Sequence, residues 1–426
     1  MIENENDKEN LIDETDEADD ISQEASSENL ITTEEAKKKK WPKILIGVLG
    51  GLLAIALFLV GTPVGRKMVV SAVVGILYKN VNYESPDDLE KNKLDYLLTP
   101  TPIVTNGLDE DKIFTLMPTP SPDPEEVDPA STKLETQEDL TDIPRDIPIR
   151  HEDYVYNVLL VGVENVEEHR ATYGRSDSML IASVNIKDRK IKLISLLRDT
   201  WVEIENREDN RLNAAFTFGG ISLLQNTVED NFRVGIDAYA KVDFEGFQSL
   251  IDMLGGVEVT LTEEEAEYLN TTNYISDKMQ RNVVPGTQVL TGNQALGYCR
   301  VRKVKAANGK SSDYGRTYRQ RVVFQNLFER YKDADLGTML KIVSEGLSYV
   351  TTNATSKDIA TWITNAIEYK CFELEMYQCP FPGKSASTGK NYFGDVKTST
   401  GKSVLSVDFR SCVEELHRIL FSEGDD

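Results

Sequence analysis

Hydrophobic and polar positions change their period several times along the chain, and each change marks an element. From Ile44 to Gly65 the sequence is free of charge, a run about the length of a bilayer-spanning helix. Lys37–Lys40, Trp41 and Lys43 precede it, and Arg66 and Lys67 follow it. The pattern predicts a transmembrane helix over 41–66, and the lysine bias places the N-terminus in the cytoplasm and the rest of the chain outside. A long acidic segment precedes the run, which is unlike a cleavable signal peptide. Met68–Leu77 is a shorter apolar run, read as part of a membrane-proximal helix over 67–80, with a hairpin returning to the cytoplasm as the alternative.

Further on the pattern alternates between strand and helix. Tyr154–Val163 reads as a strand, and the unbroken apolar run Val158–Val161 predicts burial on both faces. Met179–Ile186 and Ile191–Leu197 form a predicted hairpin across Lys187–Lys190. Helical patterns cover Asn213–Phe232, Phe244–Leu254, Thr291–Cys299, 313–333, 336–349 and 355–368, the second ended by Gly255 and Gly256. Tyr239–Val242, Val257–Leu261 and Phe372–Gln378 read as strands, and Val407–Phe421 as a strand passing into a helix. The expected fold is an α/β domain, a mixed central sheet flanked by helices on both sides, preceded by one transmembrane helix.

Composition sets the domain limits. Residues 1–40 are rich in Glu and Asp and read as a disordered cytoplasmic tail. Residues 81–148 are acidic and Pro-rich, as at Thr99–Pro102 and Pro118–Pro124, and read as an extended extracellular linker. The globular domain is expected over 149–424. A net charge of −24 excludes a nucleic-acid partner, which requires a basic surface. Four cysteines without a CxxC make neither a disulfide framework nor a zinc site. Cys371 pairing with Cys379 or Cys412 stays open. Three histidines disfavour a histidine-based triad or metal site.

The chemistry centres on Arg300–Gln320. Arg300 and Arg302 are two apart and share a side in an extended segment; Asp313, Arg316 and Gln320 share one face of a helix. Upstream, Glu164, Arg175–Asp177 and Arg198 stand at strand ends, and Arg211 opens a helix, positions where α/β folds gather anionic ligands. Arg175, Arg198, Arg211, Arg300, Arg302 and Arg316 suit phosphate oxygens. Asp177, Asp313 and Glu164 supply carboxylates, an oxygen set that suits Mg²⁺ or Mn²⁺. Arginines with a hard cation are what a diphosphate requires. Arg319 falls off the shared face and reads as structural or surface, and Arg198–Asp199 could also be a local ion pair.

Eight stretches in order then resemble the LytR-CpsA-Psr (LCP) family of Gram-positive envelope proteins: Asn157–Val163, Gly174–Met179, Ile194–Thr200, Arg211–Phe216, Val242–Phe247, Leu254–Val259, Ala295–Arg302 and Asp313–Gln320. The resemblance implies a phosphotransferase that moves a polyprenyl diphosphate-linked glycopolymer, such as teichoic acid or capsule, onto a hydroxyl of peptidoglycan with Mg²⁺ and releases polyprenyl phosphate. It implies Asp177 and Glu164 as metal contacts. Arg198, Arg300, Arg302, Arg316 and Asp313 become catalytic, and Arg175, Arg211, Gln320 and Arg198 bind the diphosphate. The family usually carries Asp at the position of Glu164 and often Lys at that of Arg211. It also implies an apolar cavity under the sheet for the lipid. The rival expectations are a polyprenyl diphosphate phosphatase and a non-catalytic polyprenyl-phosphate-binding regulatory protein.

Overall fold

The alternation within Val155–Val163 is the simplest route into the fold. Odd positions are buried and even ones half-buried along this whole strand (β2). The computed structural model describes residues 62–88, 142–164, 174–332, 334, 338, 341–342, 345–398 and 403–422. The acidic tail, the expected span up to residue 61 and most of the linker lie outside them. Among the described residues no helix is long and apolar enough to cross a membrane.

The first element described is helix α1 (Pro63–Leu77), which begins inside the limits expected for the span. Residues up to Met68 belong to one compact unit and Val69 onward to a second. In the second unit seven strands form one mixed sheet. In chain order they are β1 (Asn82–Tyr83), β2, β3 (Ser176–Asn185), β4 (Lys190–Leu196), β7 (Ala238–Asp243), β10 (Thr351–Thr352) and β11 (Glu373–Cys379), arranged 1-10-7-2-3-4-11. β2, β3 and β4 are antiparallel neighbours, whereas β7 runs parallel to β2 and β11 parallel to β4. The β3–β4 turn closes as expected, because the Asn185 side-chain oxygen accepts the N–H groups of Lys187 (2.9 Å) and Asp188 (3.2 Å).

Short β5 (Trp201–Val202) and β6 (Asn210–Arg211) lead into α2 (Leu212–Phe232), which kinks at Gly219 and Gly220. On one sheet face α2 and α8 (Phe409–Leu420) pack over Leu159, Ile181 and Ile194. On the other, α7 (Ser356–Glu368) places Trp362 against Tyr156 of β2, and Asn365 donates to the Tyr156 hydroxyl at 2.6 Å. Val70 and Val74 of α1 pack on Ala360 of α7. Helices therefore cover both faces, but not equally. Val158, Leu160, Ala182, Val184, Ile191, Leu374 and Met376 on the second face are only half-buried. The expectation of a strand buried on both faces is corrected here, since apolar density along a strand does not reveal whether the layer above it closes.

A second layer carries the site. α3 (Phe244–Met253) is capped by Asp243, whose carboxylate accepts from Gly246 N–H at 2.7 Å. β8 (Val257–Leu261) pairs with β9 (Gly286–Leu290) in a separate ribbon rather than with the main sheet. Between them lies α4 (Glu263–Thr271), opened by a capping box of Thr262 and Glu265. α5 (Gly292–Arg300) and α6 (Ser312–Tyr331) follow. Of residues 336–349, those described are helical as far as Gly346 and end in a 3₁₀ turn, Leu347–Tyr349. A ribbon of β12 (Phe393–Lys397) and β13 (Ser403–Val407) precedes α8.

Both ends of the stretch expected as linker belong to the fold. β1 joins the sheet edge, where Glu84 accepts from the Tyr239 hydroxyl and pairs with Lys241, and Ile143 enters the core. Two-residue strands such as β1 are too short to leave a period in the sequence.

Candidate active site

Three segments bring the charged residues together. β3 begins beside the end of β2, where Glu164 N–H donates to the Arg175 carbonyl at 3.1 Å. That start delivers Asp177. β4 ends at Leu196 and delivers Arg198 and Asp199. α6 delivers Asp313 in its first turn and Arg316 one turn on.

Arg198 and Arg316 are both almost wholly buried, at 2% and 3% exposure. Both donate to Asp177 Oδ1, Arg198 Nη1 at 3.1 Å and Arg316 Nη1 at 3.4 Å. Asp313 pairs closely with Arg316 and lies 3.6 Å from Arg198 Nε. Asp199 is a second hub, 3.6 Å from Arg198, 3.4 Å from Arg211 and 3.9 Å from Arg302. Arg300 ends α5 with its guanidinium 4.6 Å from the centre of the Phe244 ring, a cation–π contact. Gln320 accepts from Ser178 Oγ at 3.2 Å and donates to the Cys299 carbonyl at 3.4 Å, on the border of the cluster.

Electrostatics show a surplus of positive charge. Burial pushes the Asp177 carboxyl up, but the guanidiniums of Arg316, Arg198, Arg300 and Arg175 outweigh it and hold the group below the usual carboxylate range. Asp199 behaves alike: burial raises it, and Arg198, Arg211, Arg302 and Arg316 together carry it below that range. Arg316 moves the other way. Burial lowers its pKa most, and Arg198 and Arg302 add to that against the pull of Asp313 and Asp177. Six guanidiniums surround three carboxylates, a formal excess of three positive charges, or two when Glu164 is counted. Arg316 Nε is buried with no hydrogen-bond partner among the described residues. Crowded guanidiniums of this kind are stabilised by an anion placed between them.

The LytR_cpsA_psr family profile matches residues 126–404. The chain belongs to the LytR_cpsA_psr family. Among its relatives, a polyisoprenyl-teichoic acid–peptidoglycan teichoic acid transferase TagU of Enterococcus faecalis is 36% identical over 178 residues, covering 41% of this chain and 53% of that protein. The chain therefore spans about half the length of that relative. The protein of the same name from Bacillus anthracis is 31% identical over 243 residues, covering 56% and 73% of the two chains. The crystal structure of protein gbs0355 from Streptococcus agalactiae matches with a TM-score of 0.51 and 26% identity, over 63% of this chain and 87% of that one. It shares the mixed α/β fold.

Within this LytR_cpsA_psr domain the structure unites Asp177, Arg198, Arg302, Asp313, Arg316 and Arg211 through direct ion pairs, with Arg175 and Arg300 in electrostatic range of Asp177. Glu164 is joined to it through its backbone. The alternative of a local Arg198–Asp199 pair covers only part of what Asp199 does, since it also gathers Arg211 and Arg302 from distant segments. Its place directly after Arg198 at a strand end was the only signal available. Arg319, expected to be structural or surface, is completely buried.

No group of three or more His, Cys, Asp or Glu that could hold a metal occurs among the described residues. Asp177 nevertheless uses only Oδ1 for its arginines and is 21% exposed. One spare carboxylate oxygen beside crowded guanidiniums fits the way Mg²⁺ binds, through one or two carboxylates and substrate phosphates. The four cysteines are free and buried.

Proposed function

We propose that this chain is a phosphotransferase that attaches polyprenyl diphosphate-linked glycopolymers to peptidoglycan, and that it is anchored by a single span with its catalytic domain outside the cell. The observation that carries the proposal is the surplus of guanidiniums around Asp177 and Asp199, with Arg316 Nε still unpartnered. The names of the relatives give the chemical class, and in them the polymer is teichoic acid.

The diphosphate lies among Arg175, Arg198, Arg211, Arg300, Arg302 and Arg316, with Gln320 at the border. Asp313 keeps Arg316 and Arg198 oriented toward it. An acceptor hydroxyl oxygen forms a bond to the phosphorus that bears the glycan. The bond from that phosphorus to the bridging oxygen breaks, its electron pair leaves with polyprenyl phosphate, and the hydroxyl proton passes to solvent. Buried, pre-aimed guanidiniums stabilise the charge that builds on the leaving phosphate, each donor contributing about 3 kcal/mol. Asp177 and Glu164 would hold Mg²⁺, which would neutralise diphosphate charge when bound. The half-buried apolar sheet face offers Val158, Leu160, Ile191 and Met376 to the polyprenyl chain.

The test combines the full-length chain in detergent with a polyprenyl diphosphate-linked glycan, Mg²⁺ and peptidoglycan oligomers, read by mass spectrometry. A phosphodiester-linked product absent from Arg198→Ala is expected. Free phosphorylated glycan without a linked product would instead identify a phosphatase. Binding without turnover would identify a lipid-binding protein.

A further inference from the structure

The segment that carries Arg302 leaves α5 and crosses to α6 without regular secondary structure, yet the carbonyls of Val301, Arg302 and Val304 are each held. Val301 O accepts from Arg319 Nη1 at 2.8 Å, and Val304 O from Arg319 Nη2 at 3.0 Å. Between them, Arg302 O accepts from Ser312 N–H at 2.8 Å. Arg319 Nε is occupied by Glu265 Oε1 at 2.7 Å, and both residues are 0% exposed. Glu265 is fixed in turn, because its second oxygen accepts from Thr262 N–H at 2.9 Å in the α4 capping box. A helix cap thus holds a carboxylate, the carboxylate holds a guanidinium, and the guanidinium clasps the backbone on either side of Arg302. Gly315 lets the connecting loop lie this close: a Cβ there would stand 2.5 Å from Lys310 O and 3.2 Å from Arg319 Nη1.

We infer that Arg319 and Glu265 are a positioning pair for the diphosphate pocket, holding Arg302 and, through the end of α5, Arg300 at the reach the anion requires. The inference rests on the diphosphate reading above. Arg319 touches no substrate; its planar fork is what spans two carbonyls and one carboxylate together, a task an ammonium cannot repeat. Residues that orient a ligating side chain typically change affinity or activity by about 10–100-fold when altered.

A double-mutant cycle separates positioning from bulk stability. Farnesyl diphosphate is titrated by calorimetry into the full-length chain in detergent, as wild type, Arg319→Lys, Arg302→Ala and the double variant, with thermal midpoints recorded for each. Arg319→Lys is expected to weaken binding about tenfold in the wild-type background and less than about twofold in the Arg302→Ala background. Glu265→Gln, which keeps shape and one acceptor, should give the same pattern and carries the test if Arg319→Lys does not fold. Equal fold-changes in both backgrounds would overturn the inference while leaving the pocket intact. A wild type that does not bind farnesyl diphosphate would overturn the pocket assignment, and the inference with it.

Discussion

Arg316 and Arg319 sit three residues apart on one helix, are equally hidden from solvent, and do opposite work. Arg319 is satisfied: Nε, Nη1 and Nη2 each have an acceptor, and its carboxylate partner is itself held at both oxygens. Arg316 shares Asp177 with Arg198, shares Asp313 with Arg198 as well, and keeps a buried Nε with no partner. Burial alone therefore says little about what an arginine is for. The balance of donors to acceptors around it does: a balanced site braces the fold, and a site with surplus donors is built for an anion that comes from outside.

The comparison breaks most readily at the braced end. Arg319→Ala leaves Glu265 charged and buried without its partner, and should cost about 3–5 kcal/mol of stability in chemical denaturation followed by tryptophan fluorescence. Arg316→Ala in the same experiment should cost about 1 kcal/mol or less, since Arg198 remains beside both carboxylates and repulsion among guanidiniums falls. Equal losses would erase the distinction.

Activity should run in the reverse order. Arg198→Ala removes a buried donor of the proposed diphosphate site and should lower turnover about 10²–10³-fold, near 3–4 kcal/mol of transition-state stabilisation, with a near-native unfolding midpoint. Turnover within about twofold of wild type would remove Arg198 from the chemistry.

Acid titration sharpens the contrast further. The folded-state pKa of Asp177 is depressed by its arginines, so the carboxylate contributes stability that is fully present above the unfolded value of about 3.9 and is lost as pH falls through the folded value. The stability advantage of wild type over Asp177→Asn should therefore shrink as pH drops below about 4. An advantage independent of pH would show that the carboxylate is not held by those arginines. The smallest effect concerns Cys299, buried near Arg319. Burial pushes its thiol up to about 12, with Arg319 opposing. A disulfide reagent at neutral pH should leave it unmodified in the folded protein and modify it once the chain unfolds.

Much of this site could be read before the fold was seen. The i, i+3, i+7 spacing placed Asp313, Arg316 and Gln320 on one face, and α6 aims all three at β3, β4 or the end of α5. Strand-end positions put Arg198 and Asp177 near one another, and the structure pairs them at 3.1 Å. Two things stayed hidden for physical reasons. The hub role of Asp199 depends on Arg211 and Arg302, which reach it from 12 and 103 positions away in the chain. The bracing role of Arg319 depends on α4, whose acidic Glu263–Glu265 run carries no strong apolar period and whose capping box was not recognised. Strand β2 shows the same limit, since its unbroken apolar run could not disclose that one face is left half-open.

The most direct test of the account is thermal unfolding of the full-length chain against increasing inorganic diphosphate. A site with a surplus of guanidiniums should be stabilised by a bound diphosphate, by about 2.7 kcal/mol at a hundredfold excess over the dissociation constant. The midpoint should rise with diphosphate in wild type, and most of that rise should be lost in Arg316→Gln. A midpoint indifferent to diphosphate, or an equal rise in Arg316→Gln, would contradict the claim that these arginines are gathered for a diphosphate.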